Sequence, residues 1–165
     1  MYSAECLDAS AETDQAFRVA TILIVEDDLV MADMIEHVLV KAAHQVCGIA
    51  RTVSEAVVLA ERRAPDLTII DVRLACDGLG TDLATVSDAV GRSAILYATG
   101  NASAVITAVA PGHACITKPY SFPDLLRSVA LVQELKLTGS ATRPYPRGFQ
   151  VLPQSLHGPV GIAHG

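Results

Sequence analysis

The sequence predicts an α/β fold: a five-stranded parallel sheet, doubly wound, with helices on both faces. Two observations predict it. Five short, almost wholly apolar runs recur between residues 21 and 117, and segments with helical spacing separate them. Runs that are apolar throughout, rather than alternating, suit strands buried on both faces, which is the habit of parallel sheets. Crossovers between such strands are right-handed, and ligands collect at the carboxyl ends of the strands.

The elements follow in order. TILIVE (21–26) reads as the first strand, four apolar residues ending in acids. Residues 28–43 read as a helix, because Val30, Met31, Met34, Ile35, Val38 and Leu39 recur at three- and four-residue spacing. HQVCGIA supplies a second strand near 45–50. Thr52 and Glu55 form a T-x-x-E capping box that opens a helix through Arg63, and Pro65 stops it. LTIID (67–71) is the third strand, residues 79–91 a weaker helix, AILYA (94–98) the fourth strand and HACIT (113–117) the fifth. The intervening GNASAVITAVAPG has room for only a short helix. Ser121 and Asp124 form a further capping pair, opening a helix with Phe122, Leu125, Leu126, Val129 and Val132 on one face.

Composition narrows the function. The chain has 165 residues, enough for one domain with a real core, and 51% of them are apolar but only 4% aromatic. The core must therefore come from Val, Leu, Ile and Ala. A net charge of -6 argues against broad phosphate-backbone binding. Cys6, Cys47, Cys76 and Cys115 are far apart and lack zinc-ligand spacing, so they read as reduced thiols of a cytoplasmic protein. The acidic N-terminus does not resemble a signal peptide, and no run approaches the ~20 apolar residues of a membrane helix. Residues 1–19 read as a polar extension, 20–137 as the domain, and 138–165 as a Pro/Gly-rich tail, mostly poorly ordered or draped. No DNA-binding domain fits within that tail.

If the strands share one direction, their ends converge. The first strand ends in Glu26-Asp27-Asp28, the third in Asp71, the fourth in Thr99 and the fifth in Lys118-Pro119. Each has a bland reading alone: Asp27 or Asp28 as a helix cap, Asp71 as a loop acid, Thr99 as turn chemistry. The conjunction is what points to a site. Clustered carboxylates repel by about 4 kcal/mol per pair at ~4 Å and an effective dielectric near 20. A divalent cation relieves that, and hard oxygen ligands suit Mg²⁺. Asp71 beside it is a candidate nucleophile toward phosphorus, with Lys118 and Thr99 binding phosphoryl oxygens.

These stretches resemble the receiver domain of two-component response regulators over about residues 20–137. ILIVEDD resembles that family's acidic opening, PDLTIIDV its phosphoacceptor strand, YATG its Thr/Ser strand end and ITKPY its Lys-Pro-aromatic end. The resemblance implies a flavodoxin-like CheY-type sheet of order 2-1-3-4-5. It implies Asp71 as phosphoacceptor and Thr99 and Lys118 as phosphoryl ligands. Glu26, Asp27, Asp71 and the Arg73 carbonyl would hold Mg²⁺, with Asp28 at the helix start and a cis Lys118–Pro119 peptide. Two departures stand out. Cys115 occupies the fifth-strand position where many receivers carry Tyr or Phe, and the stretch from Thr99 to Lys118 is short. Both, with Tyr97-Ala98-Thr99-Gly100, are similar to a receiver subgroup known for a Phe-Ala-Thr-Gly stretch.

The resulting expectation is a single-domain response regulator. It would take its phosphoryl group from a histidine kinase or histidine phosphotransfer protein and signal to a downstream protein or along a phosphorelay. It would turn over nothing beyond its own aspartyl phosphate. The alternative is a receiver-like interaction module that is never phosphorylated. A haloacid-dehalogenase-like phosphatase would want an acid two residues after Asp71, where Arg73 stands, and a cobalamin-binding domain would want an Asp-x-His-x-x-Gly sequence, which is absent.

Overall fold

The computed structural model describes residues 18–74, 78–107 and 110–153. Its main sheet has six strands: β1 (Thr21–Val25), β2 (Gln45–Ala50), β3 (Leu67–Asp71), β4 (Ala94–Thr99), β5 (Ala114–Thr117) and β6 (Phe149–Val151). The first five are parallel in the order β2-β1-β3-β4-β5, which is the predicted 2-1-3-4-5 arrangement. The helices are α1 (Leu29–Lys41), α2 (Val53–Arg63), α3 (Leu83–Val86), α4 (Asp88–Arg92), α5 (Ala102–Thr107) and α6 (Phe122–Thr138).

The apolar runs divide between two cores because successive strand residues point to opposite faces. Ile22 and Ile24 of β1 join Ile35 and Leu39 of α1 and Leu125 and Val129 of α6 on one face. Leu23 and Val25 join Ala60 of α2, Val90 of α4 and Val105 of α5 on the other. Full burial of each Leu, Ile or Val contributes roughly 1.5–3 kcal/mol, so both faces must be covered for the sheet to stand.

The caps are where the sequence puts them. Asp28 is the N-cap of α1, its carboxylate accepting from the Val30 and Met31 N–H groups. Thr52 caps α2 by accepting from Glu55 N–H at 3.1 Å, while the Glu55 carboxylate reaches back to Arg51 N–H at 2.8 Å. Ser121 caps α6, accepting from Asp124 N–H at 3.2 Å.

Two expectations change. The single helix over 79–91 is instead a 3-10 turn at Gly80–Asp82 followed by α3 and α4, because Ser87 is extended at φ -134 and restarts the helix as a new N-cap. A short antiparallel hairpin, Arg73–Leu74 with Gly78–Leu79, precedes it. The tail from 138 is also not wholly loose. Phe149–Val151 adds to the free edge of β5 as an antiparallel sixth strand, with Phe149 and Leu152 buried. Composition misleads there because a buried aromatic and an edge strand's hydrogen bonds outweigh the Pro and Gly around them. Residues 1–17 of the polar extension lie outside the described residues, as do Cys6 and Cys76. Cys47 and Cys115 are free thiols.

Candidate functional site

The parallel order brings the carboxyl ends of β1, β3, β4 and β5 to one edge. Glu26 follows β1 directly and is tied to the sheet by its N–H, which donates to Ala50 O at 2.9 Å. Its carboxylate in turn accepts from Asp28 N–H at 3.1 Å, joining the end of β1 to the start of α1. Asp71 ends β3 in register with Ala98 of β4. Lys118 leaves β5 with its N–H donating to Thr99 O at 2.7 Å.

These placements bring together four of the predicted side chains. One oxygen from each of Glu26, Asp27 and Asp71 lies within 4.8 Å of the others. The Lys118 ammonium spans the cluster, 3.0 Å from Asp71 Oδ2 and 3.4 Å from Glu26 Oε2. The Lys118–Pro119 peptide is cis, as the resemblance implies. Glu26 is almost wholly buried, with 4% of its side chain exposed, against 12% for Asp71 and 28% for Lys118. Asp71 is thus the more accessible carboxylate of the pair.

Electrostatics follow from that burial. Burial pushes the Glu26 carboxyl above its ordinary range, and the Asp71 charge pushes the same way against the Asp28 N–H and Lys118. Burial opposes the Lys118 charge, but the Asp71 hydrogen bond and the charges of Asp71 and Glu26 outweigh it, so the ammonium is held more firmly. Three carboxylates against one ammonium leave a negative excess. An all-oxygen donor set of this size and charge fits a hard divalent cation.

Thr99 and Arg73 sit at this edge but are otherwise engaged. The Thr99 hydroxyl closes a turn, accepting from Asn101 N–H at 3.0 Å and donating to Asn101 O at 3.2 Å. Arg73 is exposed, and its N–H donates to Asp71 Oδ1 at 3.0 Å. Tyr120 packs its ring on the core, and its buried hydroxyl has no hydrogen-bond partner among the described residues. Cys115 is buried in the sheet opposite Tyr97.

Gly80 is a residue of this site that sequence reading missed. A Cβ there would lie 2.3 Å from the Asp71 carbonyl oxygen and 2.6 Å from Ile70 Cγ2, which no side chain tolerates. The Gly80 N–H donates to Val72 O at 3.0 Å and so folds the loop back against the end of β3. The only signal for it in the sequence is its place in a Gly-Leu-Gly stretch soon after Asp71.

The sequence profile described as the response regulator receiver domain matches residues 22–130. The chain belongs to that family. Among solved structures, the receiver resembles the anti-anti-sigma factor PhyR from Bartonella quintana, at 28% identity and TM-score 0.61, covering 73% of this chain and 49% of that one. It resembles the response regulator PhyR from Brucella abortus at 27% identity and TM-score 0.59, covering 70% and 47%. A CheY-like response regulator receiver domain protein from Methanospirillum hungatei is 26% identical at TM-score 0.62, covering 73% and 98%. The chain thus spans about half the length of the PhyR structures. A search of curated proteins found no match. Among the described residues, no helix of this receiver is long and apolar enough to cross a membrane.

Proposed function

We propose that the receiver accepts a phosphoryl group on Asp71 from a phosphohistidine of a histidine kinase or histidine phosphotransfer protein. The observation that carries this is the Lys118 ammonium bridging Asp71 and Glu26 above three converging carboxylate oxygens. In the transfer, a carboxylate oxygen of Asp71 forms a bond to phosphorus while the donor's N–P bond breaks and the imidazole leaves with the electron pair. Lys118 turns its ammonium from the carboxylates to a phosphoryl oxygen. The Thr99 hydroxyl leaves its turn with Asn101 to donate to another. Glu26, Asp27, Asp71 and the Arg73 carbonyl would hold Mg²⁺, which supplies charge neutralisation to the carboxylates and the incoming phosphoryl oxygens. Positioning and charge do most of the work in such a transfer.

The chemistry ends with hydrolysis of the same acyl phosphate, so no external substrate is turned over. Signalling passes to a downstream protein in the cytoplasm or along a phosphorelay. The likeness to PhyR, a stress response regulator, supports a stress-signalling pathway. Leu29, Val30 and Met34 stay exposed on the first turns of α1 beside the acidic edge, an apolar surface where a donor protein has to approach.

The test is incubation with acetyl phosphate and Mg²⁺ followed by intact mass. One phosphoryl adduct is expected, absent without Mg²⁺ and absent in Asp71→Asn. An adduct that persists in the variant sinks the assignment. No adduct with acetyl phosphate or with a phosphorylated kinase favours an interaction module that is never phosphorylated.

A further inference from the structure

The chain after α6 forms a strap across the last parallel strand. Its first part is anchored to α6: Thr142 N–H donates to Glu134 Oε2 at 3.0 Å, and Arg127 donates to Thr142 O at 3.0 Å. Its second part lies on β5, with Phe149, Gln150 and Val151 paired to Ile116, Cys115 and Ala114. The Phe149 ring is buried in the α1/α6 core and meets Tyr145 edge-on, ring centroids 5.3 Å apart.

The strap touches the candidate site through one residue. Thr117 donates to the Gly148 carbonyl twice, from its N–H at 3.1 Å and from its hydroxyl at 3.3 Å. Thr117 is covalently next to Lys118, whose ammonium holds Asp71 and Glu26. Gly148 is at φ +77, a conformation that favours glycine, and a Cβ there would crowd Thr117 at 3.2 Å from its Cβ, so the strap lies close on β5. The fit depends on the position of the Thr117–Lys118 backbone.

We propose that residues 145–152 are a releasable plug on the β5 edge, loosened when phosphorylation of Asp71 draws Lys118, and Thr117 with it, toward the phosphoryl group. The inference rests on the phosphoacceptor reading. It gives the modification a route outward that does not use a fifth-strand aromatic, since Cys115 has no ring to swing. A phosphoryl group adds negative charge at Asp71, and Lys118 is the ammonium that bridges Asp71 to Glu26. Movement at the end of β5 is then felt by the two Thr117–Gly148 hydrogen bonds. The anchor at Thr142 stays in place, so the strap peels from its outer half. The opened edge presents unpaired backbone groups beside the vacated Phe149 socket, a surface suited to strand addition.

Hydrogen–deuterium exchange of the full chain, with and without acetyl phosphate and Mg²⁺, tests this beside the intact-mass measurement. The amides of Thr117, Phe149 and Leu152 are expected to exchange at least about fivefold faster in the phosphorylated protein, with α2 unchanged. Coupling is reciprocal. Gly148→Ala, which strains the strap without touching the acidic cluster, is therefore expected to bind beryllium fluoride with Mg²⁺ at least about fivefold more tightly than wild type. An adduct on Asp71 with unchanged strap exchange overturns the plug and leaves the phosphoacceptor reading intact. Equal beryllium fluoride affinity in Gly148→Ala also overturns the plug. Absence of any adduct overturns both.

Discussion

Lys118 touches both Asp71 and Glu26, and it stands there as a cation among carboxylates. It therefore competes with a metal for the same oxygens. Lys118→Ala is expected to tighten Mg²⁺ binding by roughly tenfold, since it removes a positive charge from the edge of the cluster, while phosphoryl adduct formation falls. Titration with Mg²⁺, or with Mn²⁺ read by paramagnetic relaxation, checks this, and weaker metal binding in the variant would falsify it. The residues of the site were readable together rather than singly, because each stands at or just past the carboxyl end of an apolar run. Asp71 and Thr99 end strands, and Glu26 and Lys118 directly follow them, in the direction the β/α alternation dictates. Gly80 was not readable, because its constraint is the Asp71 carbonyl lying 2.3 Å from where its Cβ would be, a contact between separate elements.

At the level of elements, strands and caps were legible and the irregular segments were not. Thr52 and Ser121 bond the residues three positions on, a local pattern that spacing reveals. The break between α3 and α4 turns on the extended backbone of Ser87, and β6 turns on a free strand edge, neither of which shows as periodicity. The short α5 is followed by a turn that Tyr97 organises. Its hydroxyl donates to Pro111 O across the β4–β5 connection, and burial pushes its pKa well up, so it stays a donor. Gly112 lets that ring in: a Cβ there would stand 2.5 Å from Tyr97 Cε2. Gly112→Ala is expected to cost about 1–3 kcal/mol, the usual penalty for overpacking a rigid contact. Chemical denaturation measures it, and Tyr97→Phe in the same background should recover none of it, since the ring edge and not the hydroxyl is in the way. Recovery would show that the hydroxyl is the obstacle.

Across the whole molecule, two histidines staple the sheet at the end opposite the acidic edge. His44 Nδ1 accepts from Ala20 N–H at 3.2 Å, linking the starts of β1 and β2. His113 Nδ1 accepts from Ile95 N–H at 3.1 Å, linking β4 and β5. Both bonds need a bare Nδ1, so a proton there turns an acceptor into a donor facing a donor. Burial lowers the pKa of each below its ordinary 6.5, and for His113 the nearby Lys136 charge adds to the effect. Between that depressed value and 6.5 the unfolded chain binds more protons than the folded one, so stability rises with pH in this window. Their contribution is complete above 6.5 and is lost as pH falls below it, by at most about 1.4 kcal/mol per pH unit for each ring. Glu26 works the other way. Its raised pKa makes the folded state the better proton binder above the ordinary 4.5, so lowering the pH helps it. The variants His44→Asn and His113→Asn keep an acceptor near the Nδ1 position and cannot titrate, which separates the two contributions. Urea midpoints measured from pH 7.5 down to 5 should fall in the wild type and flatten in the double variant. A wild-type decline that survives in the double variant would assign the acid sensitivity to groups other than these two rings.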